Sequence, residues 1–296
     1  MKRRILIGLG VVLLVAAGFV GYQFYRLQQT ETVKIDDHFY VVLGGGGNSA
    51  VLIGDEGVLL VDTKHLGPGR RLARIIRTIT DKPVKVIINT HYHSDHTHGN
   101  PNYAPGTDVI AQRRTRQHMI ELDRDFWEVH PNWSMLPGDL LDDERRLQFG
   151  DESIRILHPG RGHTDGDVVV YFPHRGILHT GDLFIHNLYP FIDLRGGGSA
   201  REWPATLDRV LAIGDVRLYI PGHGPLASRA DVVRFQSYLR SLVSQVEEMA
   251  ARGRSLADIE AAVDLRGYDD FHGMPFFTSR ARNVEWVYQE ITETRR

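Results

Sequence analysis

The 296-residue sequence contains no cysteine. That excludes disulfides, thiolate metal ligation and a cysteine nucleophile, and it fits an oxidising compartment as readily as a reducing one. Any bound metal must therefore be held through nitrogen and oxygen. A net charge of −2 at pH 7 leaves no basic footprint for nucleic acid. Internal repeats, coiled-coil heptads and low-complexity tracts are likewise missing.

What is present is concentrated in His91-Tyr92-His93-Ser94-Asp95-His96, three imidazoles and a carboxylate within six residues. Neutral imidazole and carboxylate suit Zn²⁺ at neutral pH, and without cysteine a catalytic metal is favoured over a structural one. The apolar run Val84 to Ile88 reads as a short buried strand that ends at Asn89 and Thr90. The motif then falls on the loop at the strand's carboxyl end, where open α/β folds place their ligand sites. On such a turn His91 and His93 are expected to point one way, and Asp95 and His96 toward a second position a few Å off.

Two metal positions need further ligands, and three later strand-like runs each end in glycine beside a suitable residue. Ile154 to Leu157 leads into Gly162-His163, Gly176 to His179 into Thr180-Gly181-Asp182, and Val216 to Ile220 into Pro221-Gly222-His223. Glycine there permits a sharp turn and a close backbone approach.

With these motifs in this order, residues 34 to 228 resemble the metallo-β-lactamase fold superfamily of metal-dependent hydrolases. The resemblance implies a four-layer αββα sandwich and two zinc ions per chain. It assigns His91, His93 and His163 to the first zinc and Asp95, His96 and His223 to the second, with Asp182 bridging. Asp62, closing Val61-Asp62-Thr63, matches a supporting aspartate that would fix the tautomer of a ligand imidazole. The implied function is a zinc-dependent hydrolase in which a metal-bridging hydroxide attacks the carbonyl of an ester, thioester, lactone or lactam. Asp95 is the candidate catalytic residue, orienting that nucleophile or carrying its proton. Ser94 has no base placed for it and reads as a turn residue.

Asp182 and the lack of cysteine depart from dedicated zinc β-lactamases and resemble the thioesterase-like, lactonase-like and general hydrolase branches. A β-lactamase-like or phosphoester hydrolase is the alternative. From another class, the alternative is a non-catalytic zinc-binding or redox metal protein of the same fold. The expected partner is a small-molecule substrate.

At the amino terminus, Lys2-Arg3-Arg4 precedes an apolar run of 18 residues, Ile5 to Tyr22. That length is at the lower end for a membrane span, and the basic flank favours the cytoplasmic side. The pattern predicts an anchor over 1–29 with the catalytic domain in the periplasm or extracytoplasmic space; the alternative is secretion after signal cleavage. Residues 30–228 then form the catalytic domain and 229–296 carry helices packed on it.

Strands are expected at Tyr40 to Leu43, Ala50 to Ile53 and Val58 to Val61, and a helix over Arg70 to Thr80. Gly44-Gly45-Gly46-Gly47-Asn48 is a hairpin tip, either a plain turn or a flap over the site. Beyond His223, helices are expected over Arg229 to Ala251, Leu256 to Val263 behind a Ser255 cap, and Asn283 to Ile291. Trp127, Trp133, His186 and Tyr189 are the candidate substrate-pocket residues, since aromatics beside a hydrolase metal often receive an apolar group. His98, His118, His130, His158, His174 and His179 read as structural.

Overall fold

A computed structural model describes residues 28–273 and 277–293. Seven strands form the first sheet in sequence order: β1 (Thr30–Lys34), β2 (Phe39–Gly44), β3 (Ser49–Ile53), β4 (Val58–Val61), β5 (Val84–Ile88), β6 (Asp108–Gln112) and β7 (Asp139–Leu141). β1 to β4 are antiparallel, and β4 to β7 pair in parallel. The second sheet has the order β12-β11-β10-β9-β8. It contains β8 (Glu144–Phe149), β9 (Glu152–Leu157), β10 (Val169–Phe172), β11 (Ile177–Gly181) and β12 (Leu218–Pro221), with only β11 and β12 parallel. The helices are α1 (Leu66–Ile79), α2 (Ser94–Thr97), α3 (Arg113–Leu122), α4 (Arg124–Trp127), α5 (Trp203–Leu211), α6 (Arg229–Ala251), α7 (Leu256–Ala262) and α8 (Arg280–Glu293).

The two-residue period of the strands builds four layers, because consecutive apolar residues face opposite sides of each sheet. Val41, Leu59, Val61, Val86 and Ile88 meet Ile154, Ile156, Val170, Phe172 and Ile220 between the sheets. Their neighbours Val42, Leu60 and Ile87 face outward onto Leu72 and Ile76 of α1. On the second sheet Val169, Tyr171 and Leu178 face Leu207, Phe235, Leu239 and Val287 of α5, α6 and α8. The outcome is a mixed α/β sandwich of two sheets with helices on both outer faces. Each such side chain, fully buried, contributes about 1.5–3 kcal/mol, so the near-continuous Val/Ile/Leu runs are a large driving force for this layering.

Helix α1 begins four residues before the expected Arg70. Leu66-Gly67-Pro68-Gly69 reads as a turn, yet proline is tolerated in a first helical turn because its missing N–H has no intrahelical partner there. α6 starts at Arg229, where Ser228 and Asp231 form a capping box. The apolar run Ile5 to Tyr22, expected to be a transmembrane helix, lies outside the described residues. Among the described residues no helix is long and apolar enough to cross a membrane.

Candidate metal centre

The proposed ligands meet at the carboxyl ends of β5, β11 and β12 and on the loop after β9. Parallel pairing of β4 with β5 sets Val61 opposite Ile88, so Asp62 emerges beside Thr90. The Asp62 carboxylate accepts Thr90 N at 2.8 Å and Thr90 Oγ1 at 2.7 Å and binds His96 Nδ1 at 2.6 Å. Three close groups could hold cations: His91, His93 and His163; His91, His96 and Asp182; and Asp95, His96 and His223.

Hydrogen bonding fixes which ring nitrogen of each histidine is free. Thr90 Oγ1 donates to Asp62 and therefore accepts from His91 Nδ1, 3.0 Å away. His163 Nδ1 donates to Phe191 O at 2.7 Å, His93 Nε2 to Asp193 Oδ2 at 2.9 Å, and His96 Nδ1 to Asp62. The ring nitrogens left facing inward are His91 Nε2, His93 Nδ1, His163 Nε2 and His96 Nε2. His93 Nδ1 sits 3.1 Å from His91 Nε2 and 2.8 Å from His163 Nε2. Three lone pairs aimed at one point repel unless a cation sits between them, so the donor set fits a metal ion such as zinc.

The second position is equally oriented and more acidic. His96 Nε2 is 3.2 Å from Asp182 Oδ1 and 3.5 Å from His223 Nε2. His223 Nε2 is 3.2 Å from Asp95 Oδ2 and 3.4 Å from Asp182 Oδ2, and Asp182 Oδ2 lies 3.7 Å from His163 Nε2. Asp182 thus touches both groups, and its buried Oδ1 has no hydrogen-bond partner, as expected of an atom oriented toward a cation.

Burial drives His91 well below the usual histidine range and His163 down to about 4. For His96 and His223 burial acts in the same direction, but Asp182 leads a carboxylate field that lifts His96 well above that range and His223 to about 9. Burial opposes ionisation of Asp95 and Asp182, yet His96 and His223 hold both carboxyls well below the usual carboxylate range. Metal-free, His91 and His163 are neutral imidazoles, whereas His96 and His223 hold protons.

The glycine hairpin after β2 is a fixed wall rather than a free flap. Gly47 N donates to Asp95 O at 3.1 Å, and Asn48 N donates to Gly222 O at 2.7 Å. A Cβ on Gly47 would fall 2.3 Å from the His96 ring, and one on Gly222 would fall 1.9 Å from Asp182 Oδ1, so both positions require glycine for close approach. The wall is held from behind by Lys64, completely buried, whose Nζ donates to Val42 O at 2.9 Å and to Gly44 O and Gly47 O at 2.6 Å. Burial draws that ammonium down to about 7 against the pull of Asp62 and Asp95.

The expected pocket residues do not share one environment. Trp127 is wholly buried with Met119 and Leu136 and donates to Asp123, so it is packing and not pocket lining. Trp133 stands half exposed on a turn, Asn132–Met135. The His186 ring turns to Pro225 O at 3.1 Å and Asp231 at 3.6 Å, beside the start of α6. Tyr189 packs near Tyr238 and Phe271. His98 and His118 are engaged by Asp123 and Asp165, each at 2.6 Å. The groups that sequence reading passed over are Asp193, Tyr92, which donates to the same Asp193 oxygen, and Lys64. Nothing local marks a lone Asp193 or a lone lysine, because their partners are distant in sequence.

A two-sheet sandwich carrying two adjoining His/Asp groups at its strand ends defines a metal-site α/β protein. The chain belongs to the metallo-beta-lactamase superfamily, whose family description matches residues 43–223. It is 27% identical over 208 residues to a 2,4-dinitroanisole O-demethylase subunit alpha from a Nocardioides species, covering 69% of this chain and 60% of that protein. It therefore spans less than two thirds of that relative's length. It is also 27% identical over 184 residues to a metallo-beta-lactamase type 2 from Bacillus cereus, covering 62% of this chain and 68% of that one. Among solved structures, a stereoselective inverting sec-alkylsulfatase from a Pseudomonas species is similar with a TM-score of 0.73 at 17% identity. That match covers 88% of this chain and 50% of the sulfatase, and it shows the fold.

Proposed function

We propose that the chain is a metal-dependent hydrolase of this superfamily that holds two zinc ions and cleaves a carbonyl-containing substrate such as an ester, thioester, lactone or lactam. The observation that carries this reading is the set of four histidines whose outer nitrogens are already bonded, leaving their other ring nitrogens facing inward beside two ionised aspartates. His91, His93 and His163 would hold one ion, Asp95, His96 and His223 the other, and Asp182 both. When bound, the zinc pair supplies Lewis acidity for activating water and polarising the scissile group.

The protein's own groups do the rest. Asp62 and Asp193 keep His96 and His93 in the tautomers that leave a lone pair inward. Asp95, the most open carboxylate of the set at 20% side-chain exposure, is placed to accept a proton from attacking water at Oδ2 and pass it outward. The Gly47 wall excludes water from behind His96, which strengthens every charge interaction there.

The test is metal content by inductively coupled plasma mass spectrometry on the purified chain and on His91→Ala, followed by a panel of esters, thioesters, lactones, β-lactams, a phosphodiester and a secondary alkyl sulfate. Near two zinc per chain, falling in the variant, with turnover of a carbonyl substrate, supports the reading. Iron as the dominant ion, or zinc without turnover of any substrate, rejects it.

A further inference from the structure

The segment after Asp182 reaches the metal centre because the carboxyl-terminal helix holds it. Asn283 Nδ2 of α8 donates to Pro190 O at 2.7 Å, and the other end of its amide accepts from Tyr238 OH at 2.7 Å. Glu290, two turns further along α8, accepts from Ser199 Oγ at 2.5 Å and Ala200 N at 2.9 Å. The chain from Pro190 to Ala200 is thus fixed at both ends, and between the anchors lie Phe191 and Asp193.

Phe191 faces two ways. Its carbonyl sets the tautomer of His163, while its ring lies 5.5 Å from the His93 ring and 5.8 Å from the His163 ring. Trp286 of α8 meets the same phenyl ring edge-on, with centroids 5.1 Å apart at 73°. Neither aromatic is fully covered, and the neighbouring His93 side chain keeps 18% of its surface exposed. This side of the centre offers little to hydrogen-bond: His93 Nε2 is taken by Asp193 and His163 Nδ1 by the backbone. What remains is aromatic surface beside the first metal position.

From this geometry we infer that Phe191 and Trp286 form the subsite that receives an apolar group attached to the scissile carbonyl, aromatic or branched alkyl. The inference rests on the metal-hydrolase reading above and adds its substrate class. An apolar group placed there leaves water and meets ring edges and faces, which favours planar or branched shapes over charged or strongly polar ones. Trp286 lies beyond the residues that the superfamily description matches, so this wall is a contribution of the carboxyl-terminal helices and not of the shared sandwich.

The zinc-loaded full chain is titrated with acetohydroxamate and with benzohydroxamate, which share a metal-binding head and differ in the apolar group. The wild type is expected to bind the phenyl compound at least about tenfold more tightly, the equivalent of burying some tens of Å² of apolar surface. Phe191→Ala and Trp286→Ala are expected to reduce that ratio to less than about threefold. Comparing ratios cancels the intrinsic chelating strength of each head group. Trp286→Leu, which keeps apolar packing on α8, is the milder variant if Trp286→Ala unfolds, and it should give an intermediate ratio. A wild-type ratio near one, or the full preference in every variant, overturns the subsite. Failure of the zinc-loaded protein to bind acetohydroxamate at all instead overturns the metal-hydrolase reading, and the subsite with it.

Discussion

Asp193 accepts the Nε2 proton of His93 at 2.9 Å, so His93 presents Nδ1 to the first metal position whereas His91 and His163 present Nε2. Two carboxylates thereby serve the two halves of the centre, Asp193 behind His93 and Asp62 behind His96. Removing Asp193 frees the His93 ring to rotate or to take the other tautomer. Asp193→Ala is expected to weaken zinc binding at the first position by about 10–100-fold, with Asp193→Asn intermediate. Chelator competition measures this, and wild-type affinity in Asp193→Ala would remove Asp193 from the centre.

The two positions should load with different pH dependence. His163, at about 4, and His91, well below its usual range, are already neutral at pH 6, so binding there displaces no proton from either. His223, held near 9, and the raised His96 carry protons that a metal must expel. Affinity of the second position should therefore climb between pH 6 and 9, up to about tenfold per pH unit for each displaced proton. Zinc titrations at pH 6, 7 and 8 check this; parallel slopes for both ions would contradict it.

Lys64 is expected to be a stability residue with a catalytic consequence. Lys64→Met leaves three carbonyl oxygens buried without their donor, a loss of about 3 kcal/mol. For a chain of this size that corresponds to a Tm lower by roughly 6–12 °C. The Gly44–Gly47 wall then loosens against His96, and second-site zinc should fall with it. A melting temperature within about a degree of wild type would show that the hairpin does not depend on the ammonium.

The two tryptophans between α3 and β7 separate packing from surface. Trp127→Ala empties a wholly buried site and should cost about 3–5 kcal/mol. Trp133→Ala, at a half-exposed position, should change stability by less than about 0.5 kcal/mol. Denaturant unfolding of both variants decides; equal costs would mean that Trp133 is covered in solution.

Gly47→Ala probes the wall from the site side. The added methyl meets the His96 ring at 2.3 Å, so the imidazole or the hairpin must move. Second-site zinc should be lost while the first position, built from His91, His93 and His163, stays loaded. Retention of both ions would place slack in the hairpin that its hydrogen bonds to Asp95 and Gly222 do not suggest.

Local pattern made much of this protein legible. Val84 to Ile88 is strand β5 residue for residue, because a β-branched run interrupted only by Lys85 and bounded by turn residues has few other uses in an α/β chain. α6 starts and stops where its apolar spacing places it, at Arg229 and Ala251. His91 to His96 announce themselves because six adjacent residues carry four candidate ligands, and glycine beside His163, Asp182 and His223 is a backbone demand that shows in sequence.

What the sequence does not carry is pairing between distant residues. Whether a tryptophan lines a pocket or fills a core is decided by which helices close over it, and Trp127 and Trp133, six residues apart, differ completely. Asp193 reaches His93 across 100 residues, Lys64 reaches the Gly44–Gly47 carbonyls across a folded hairpin, and Trp286 meets Phe191 only when α8 docks. Composition and spacing made the ligand chemistry legible, because four of the seven candidate ligands lie within six residues and the other three each directly follow a glycine. Tautomer, protonation and the shape of the aromatic flank depend on neighbours brought together by packing, so only the tertiary structure decided them.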